Sequence, residues 1–250
     1  GKGAELARLV ARGFDVPPGF VLTTEAFRKA LISREAPGGE SPGTLPPDIR
    51  HRLHAEARRL GGPFAVRSSL VGEDGRRASM AGQLKTSLDV AAGDDLEAAV
   101  DRCYASAFGG PLSVYRSNLL AEESPDDQSP SLAVVVQRMQ PSRVVGVAFS
   151  ADPLTGQRCV VIEAAAGPPD AVVAGRTNPD RWRVDARGVL VESRPVAGAG
   201  VLDEDRILEL AGLVRAIAAD EPDPVDVEWC WDGDRFWFLQ ARPISTLAGQ

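Results

Sequence analysis

Val225-Asp226-Val227-Glu228-Trp229-Cys230-Trp231, then Asp232-Gly233-Asp234, then Phe236-Trp237-Phe238-Leu239-Gln240-Ala241-Arg242, has the pattern of a β-hairpin. Two runs rich in Val, Trp and Phe flank a turn of Asp and Gly. Successive side chains on a strand point to opposite faces, so Asp226 and Glu228 project together, and so do Gln240 and Arg242. If the loop is odd-numbered, as Asp232–Asp234 would be, paired residue numbers sum to an even number and all four side chains share one face. Two acids, an amide and a guanidinium make a poor core. Carboxylates supply the hard oxygen ligands that Mg²⁺ takes, and an arginine spans two phosphate oxygens. A solvated face with a surface salt bridge explains the same residues, so the hairpin alone leaves both explanations open.

Outward from the hairpin, the preceding hundred residues are strand-rich. Asp203–Asp220 is helical, with acids in its first turn where the helix dipole favours them. Trp182–Val184 and Val189–Glu192 flank Ala186-Arg187-Gly188 as a second hairpin. Leu132–Arg138, Val144–Ser150 and Cys159–Ala164 are β-branched runs separated by Gln140-Pro141-Ser142 and Asp152-Pro153-Leu154-Thr155-Gly156. The first half differs. Leu6, Leu9 and Val10 mark a helix over Gly3–Arg12 that stops at Gly13. Val16-Pro17-Pro18-Gly19 turns the chain into a strand, Phe20–Leu22, and Thr24 caps a helix over Glu25–Leu31. Ser33–Pro47 is a surface loop by composition. Asp48–Leu60 is helical, Phe64–Arg67 a strand, and Asp94–Phe108 and Leu112–Leu120 amphipathic helices. Ala121–Ser131, acidic and polar, is the natural boundary. The expectation is an α+β chain in two lobes, 1–125 and 126–250.

Composition narrows the function. In 250 residues, 28 Lys and Arg stand against 35 Asp and Glu, a net charge of −7. A nucleic-acid binder normally carries a basic face, so that class is disfavoured. No apolar run approaches the ~20 residues a membrane helix requires. Cys103, Cys159 and Cys230 are far apart without a Cys-x-x-Cys, as expected of small buried residues in a reducing cytoplasm. The histidines, His51 and His54, lie on a charged helix face away from any cysteine, which leaves no zinc site. The chain opens Gly-Lys-Gly without methionine, so a leading segment is expected ahead of it.

Two further segments carry possible chemistry. Arg67-Ser68-Ser69 ends an apolar strand and opens into Gly72-Glu73-Asp74 and Ala78-Ser79-Met80-Ala81-Gly82-Gln83, a composition suited to a loop that covers phosphates. Lys2, at a helix start, can present an ammonium to the same groups. Alone, each is equally an ordinary surface loop or a solvated lysine.

Taken in order, the segments resemble the ATP-binding domain of the phosphoenolpyruvate synthase and pyruvate phosphate dikinase family, of the ATP-grasp fold. The matching blocks are Gly1-Lys2-Gly3-Ala4-x-Leu6, Val16-Pro17-Pro18-Gly19-Phe20-Val21 and Phe64-Ala65-Val66-Arg67-Ser68-Ser69. Ala78-Ser79-x-Ala81-Gly82-Gln83, Val136-Gln137-x-Met139, Ala151-Asp152-Pro153-x-Thr155-Gly156, Glu163-Ala164 and Asn178-Pro179-Asp180 follow. Asp226-Val227-Glu228-Trp229 and Leu239-Gln240-Ala241-Arg242-Pro243-Ile244 close the series, so the resemblance runs along nearly the whole chain.

The resemblance implies ATP and Mg²⁺ as ligands. It places Lys2 and Arg67 on the phosphates, Gly82 and Thr86 along the covering loop, Gln137 and the backbone near Met139 at the adenine, and Glu163 near the ribose. Glu228 and Gln240 would hold Mg²⁺, helped by Asp226, and Arg242 would steady the transferring group. Such sites act by positioning and charge neutralisation. In the family, ATP gives its β-phosphoryl to a histidine on a separate swivelling domain, leaving AMP and phosphate, and the histidine passes it to a small-molecule acceptor. The family's Thr-x-Gly-x-x-His is absent here, so that domain is expected elsewhere, in the same polypeptide or in a partner subunit.

Departures from the family pattern matter too. Leu70-Val71 stands where Ala-Thr is usual, and Ala166-Gly167-Pro168-Pro169-Asp170 replaces Trp-Gly-Leu-Gly-Glu, removing two amide donors. Ala78–Gln83 is closer to the water-using synthases and antibiotic phosphotransferases than to the phosphate-using dikinases. The acceptor is pyruvate, a rifamycin-like antibiotic or another metabolite. A non-catalytic nucleotide-binding module that regulates a partner is the alternative. Against it, every polar position the family uses for ATP and metal carries the usual residue.

Overall fold

The computed structural model describes residues 1–35, 45–70, 86–106, 132–167, 178–196, 198 and 200–244. Two compact units form: Gly1–Gly3 with Pro18–Met139, and Ala4–Pro17 with Gln140–Gln250. The break anticipated at 125/126 lies outside the described residues.

In the first unit β1 (Gly19–Leu22), β2 (Phe64–Leu70), β3 (Thr86–Val90) and β4 (Leu132–Arg138) form an antiparallel sheet in the order β1-β4-β2-β3. The even-numbered residues Leu22, Phe64, Val66, Val134 and Val136 enter the core beneath α2 (Thr24–Glu35), α3 (Pro47–Leu60) and α4 (Asp94–Ser106). Pro47 begins α3, where its missing N–H costs nothing. Ile49, Leu53 and Ala57 follow at four-residue spacing and are buried. On α4, Leu96, Ala99, Val100 and Cys103 do the same. Arg50 and His54 of α3 both pair with Glu97 of α4, so His54 has an interhelical partner and is not the plain surface residue its charged neighbourhood suggested. β3 has no clear period in Thr-Ser-Leu-Asp-Val and escaped the sequence reading; its pairing with β2 creates it. α2 runs to Glu35, past the expected stop at Leu31, and Leu45 is buried although Ser33–Pro47 suggested surface. The helix anticipated over Leu112–Leu120 falls outside the described residues.

The second unit is a six-stranded antiparallel sheet, ordered β10-β9-β5-β6-β7-β8. Its strands are β5 (Val144–Phe149), β6 (Cys159–Ala166), β7 (Asp180–Asp185), β8 (Leu190–Arg194), β9 (Val225–Trp231) and β10 (Phe236–Pro243). One face packs against α5 (Glu204–Ala218) through Val160, Ile162, Trp182, Val227 and Trp229. Asp203 caps α5, its carboxylate accepting from the Arg206 amide at 2.9 Å. The N-terminal helix α1 (Lys2–Ala11) is tied to the far end of α5. Leu9 joins this core, and Arg12 donates to the Ile217 carbonyl at 2.9 Å and pairs with Asp220 at 3.0 Å. A cation there satisfies the carbonyls that a helix C-terminus leaves open.

Candidate functional site

The face of the second sheet turned away from α5 is polar, and its register defines it. Directly paired residues share a face. Gln240 pairs with Glu228, Glu228 with Val147, Val147 with Glu163, Glu163 with Arg181 and Arg181 with Arg194, giving one row across all six strands. The next row runs Arg242, Asp226, Phe149, Val161, Arg183 and Glu192. The four hairpin residues therefore share a face, though not through the loop parity expected. Trp231 pairs with Phe236 around a four-residue loop, and the register shifts between Phe238 and Gln240. Leu239 is the extra residue, and this bulge brings Gln240 and Arg242 onto the polar face.

Arg242 donates from Nε to both Asp226 carboxylate oxygens, at 3.0 and 2.9 Å. Gln240 is buried, with 6% of its surface exposed, whereas Glu228 is half-buried. Glu163 pairs with Arg181 at 3.6 Å. At the hairpin tip Asp232 fixes the turn. Its carboxylate accepts from the Asp234 and Arg235 amides and, at 2.7 Å, from the Trp237 indole. Although burial pushes the Asp232 carboxyl up, these hydrogen bonds hold it below its ordinary range.

The first unit presents a second such face. Thr86 pairs with Arg67, Arg67 with Val135 and Val135 with Val21; the neighbouring row is Ala65, Gln137 and Gly19. These odd-numbered strand residues of β1, β2 and β4 lie opposite the core set. The start of α1 rests on that face, because a Cβ on Gly3 would stand 3.2 Å from Val21 Cγ2 and 3.7 Å from Val135 Cγ2. Arg67, Thr86 and Gln137 thus share one sheet face, and Lys2 precedes the glycine that rests on it. Gln137 is buried, with 3% exposed. The Met139 amide, next along, donates to the Pro63 carbonyl at 2.8 Å and is occupied. Gly82 lies outside the described residues.

Two residues on or beside these faces escaped the sequence reading. Arg181 becomes visible only once β6 and β7 are in register, and those strands are separated by a long connection. Gln140, directly after Met139, has a buried Nε2 with no hydrogen-bond partner among the described residues. The donor set fits magnesium, which takes oxygen ligands from one or two carboxylates and leaves the rest to water and phosphate. Glu228, Asp226 and the Gln240 amide oxygen are of that kind. No group of three or more His, Cys, Asp or Glu occurs as a metal cluster among the described residues.

Comparison with known proteins identifies the family. The chain is 34% identical to a rifampicin phosphotransferase of a Streptomyces species and 31% identical to a probable phosphoenolpyruvate synthase of Methanothermobacter thermautotrophicus. Each alignment covers 99% of this chain, but only 34% and 44% of those relatives' lengths. Among solved structures, a dinucleotide-forming acetyl-coenzyme A synthetase of Ca. Korarchaeum cryptofilum matches with a TM-score of 0.51 at 12% identity, covering 96% of this chain and 90% of that one. That likeness concerns the fold alone, which is the α+β ATP-grasp fold. Residues 41–199 and 188–250 match the pyruvate phosphate dikinase, AMP/ATP-binding domain family, and the chain belongs to that family.

Proposed function

We propose that this chain is the ATP-binding part of a dikinase-type phosphotransferase, which cleaves ATP to AMP and phosphate. In this reading the β-phosphoryl moves to a histidine on a swivelling domain and then to a small molecule. Water takes the other phosphoryl. The supporting observation is the pairing of Gln240 with Glu228 on the face opposite the core, where a plain structural sheet has no use for them.

On the first unit's face, Lys2 and Arg67 bind phosphate oxygens, Gly82 belongs to the covering loop, Thr86 stands opposite Arg67 at the start of β3 rather than in that loop, and Gln137 meets the base. The occupied Met139 amide leaves the neighbouring groups to complete that contact. In the second unit, Glu228 and Gln240 hold magnesium, and Glu163 accepts from the ribose hydroxyls. Asp226 keeps the Arg242 guanidinium aimed along the sheet, and its remaining lone pairs can still face the metal. Bound magnesium supplies charge neutralisation on the phosphate oxygens. The protein's own share is to orient and to shed water from the reacting groups.

The similarity to a rifampicin phosphotransferase and a probable phosphoenolpyruvate synthase supports a small organic acceptor, bound outside this chain. The buried free cysteines suit a cytoplasmic protein, and no helix among the described residues is long and apolar enough to cross a membrane.

The test is to incubate the protein with ATP labelled at the β-phosphorus together with its histidine-bearing domain. Label in an acid-labile, base-stable phosphohistidine, with AMP released, is the expected result. ADP as the only nucleotide product would rule the dikinase reaction out.

A further inference from the structure

We infer that Arg181 is a positioning residue for the nucleotide's sugar, acting through Glu163; this rests on the functional reading above. Glu163 and Glu228 occupy the same row with Val147 between them. At about 4.8 Å per strand they stand roughly 10 Å apart, the span from the metal-bound phosphates of ATP to its ribose. A carboxylate at that distance accepts from vicinal hydroxyls, provided it is held still. Arg181 is placed to hold it. It pairs directly with Glu163 across the β6–β7 ladder, with Nη1 at 3.6 Å from the carboxylate. Its Nε is buried and finds no hydrogen-bond partner among the described residues, so the guanidinium keeps a donor in reserve beside the carboxylate. Glu163 and Arg181 are each about one-third exposed, as expected of a pair that a ligand covers rather than a pair sealed in a core.

A purely structural salt bridge at this exposure would contribute little and would not distinguish one nucleotide from another. A positioning role predicts discrimination at the sugar. Binding of MgATP, Mg-2′-deoxyATP and Mg-3′-deoxyATP to the 250-residue chain is measured by calorimetry for wild type, Arg181→Ala, Arg181→Lys and Glu163→Ala, and for the Arg181→Ala/Glu163→Ala pair.

Arg181→Ala is expected to weaken MgATP about tenfold. It should weaken at least one deoxy analogue much less, so that the preference for the ribose collapses while the melting temperature stays within a few degrees. Lysine should restore part of the preference, and alanine at 181 should add nothing once Glu163 is alanine. Equal losses for all three nucleotides, or full additivity of the two substitutions, would overturn the inference while leaving the functional reading intact, provided Glu228→Ala still abolishes binding. Failure of the wild-type chain to bind MgATP would overturn both.

Discussion

Gln240 faces Glu228 across the β9–β10 ladder because Leu239 is an extra residue. Phe238 pairs with Trp229, yet Gln240 pairs with Glu228, so the strand gains one position between them. Without that bulge Gln240 would stand opposite Val227, whose side chain lies in the core against α5. Bulges of this kind re-aim side chains and commonly lie beside functional sites.

Deleting Leu239 should therefore leave a regular ladder, with Gln240 still opposite Glu228 and Arg242 still opposite Asp226. The expected outcome is retained MgATP binding. Deleting Ala241 instead shortens the strand beyond the bulge and draws Arg242 opposite Val227, into the core. Burying an unpaired guanidinium costs at least about 3 kcal/mol, so that variant should show a lower denaturation midpoint together with weakened binding. Equal behaviour of the two deletion variants would show that the bulge does not set the face.

Gly146 is the close-approach point of the second sheet. A Cβ there would sit 2.2 Å from the Glu163 carbonyl oxygen and 2.7 Å from Trp229. Glu163 belongs to a row of the polar face, whereas Trp229 is a fully buried ring in the core on the other side of the sheet. Gly146→Ala should cost about 1–3 kcal/mol through overpacking. Because the strain falls on the β5–β6 ladder, it should also weaken nucleotide binding. Thermal denaturation and calorimetry would read both effects, and an unaffected melting temperature would contradict this packing.

Asp152 offers a pH test. Its carboxylate accepts from the Leu154 amide at 2.9 Å and the Thr155 amide at 3.1 Å, and these bonds hold it below its ordinary value despite burial. A carboxyl depressed in the folded state stabilises fully above its unfolded value, near 4, and loses that contribution as pH falls through the folded value. The wild-type melting temperature should thus fall more steeply below about pH 4 than that of Asp152→Asn. Parallel curves would show that the turn does not depend on the charge.

Much of this was legible in the sequence, and the exceptions have physical causes. Local periodicity located the strands at Leu132–Arg138 and Val225–Trp231, because alternation is a property of the strand itself. The same-face grouping of Asp226, Glu228, Gln240 and Arg242 was also legible. The anticipated reason, loop parity, was not the operative one, since Leu239 corrects the register after a four-residue turn. Strand β3 and the Glu163–Arg181 pair were invisible because each depends on a partner distant in sequence. Nothing in Thr86–Val90 marks a strand until β2 lies beside it. The approach of the α1 start to the face of Arg67 and Gln137 depends on Gly3 resting against Val21 and Val135, a tertiary contact that a terminal Gly-Lys-Gly does not announce.

We propose that the polar face of the second sheet holds magnesium-bound ATP through Glu228. Calorimetric titration of the chain with ATP, with and without Mg²⁺, beside Glu228→Ala, decides this. Saturable binding that requires Mg²⁺ and is weakened at least about tenfold in a variant with unchanged melting is the predicted result. Binding indifferent to Mg²⁺ or to Glu228 would show that this face does not hold the metal-bound nucleotide.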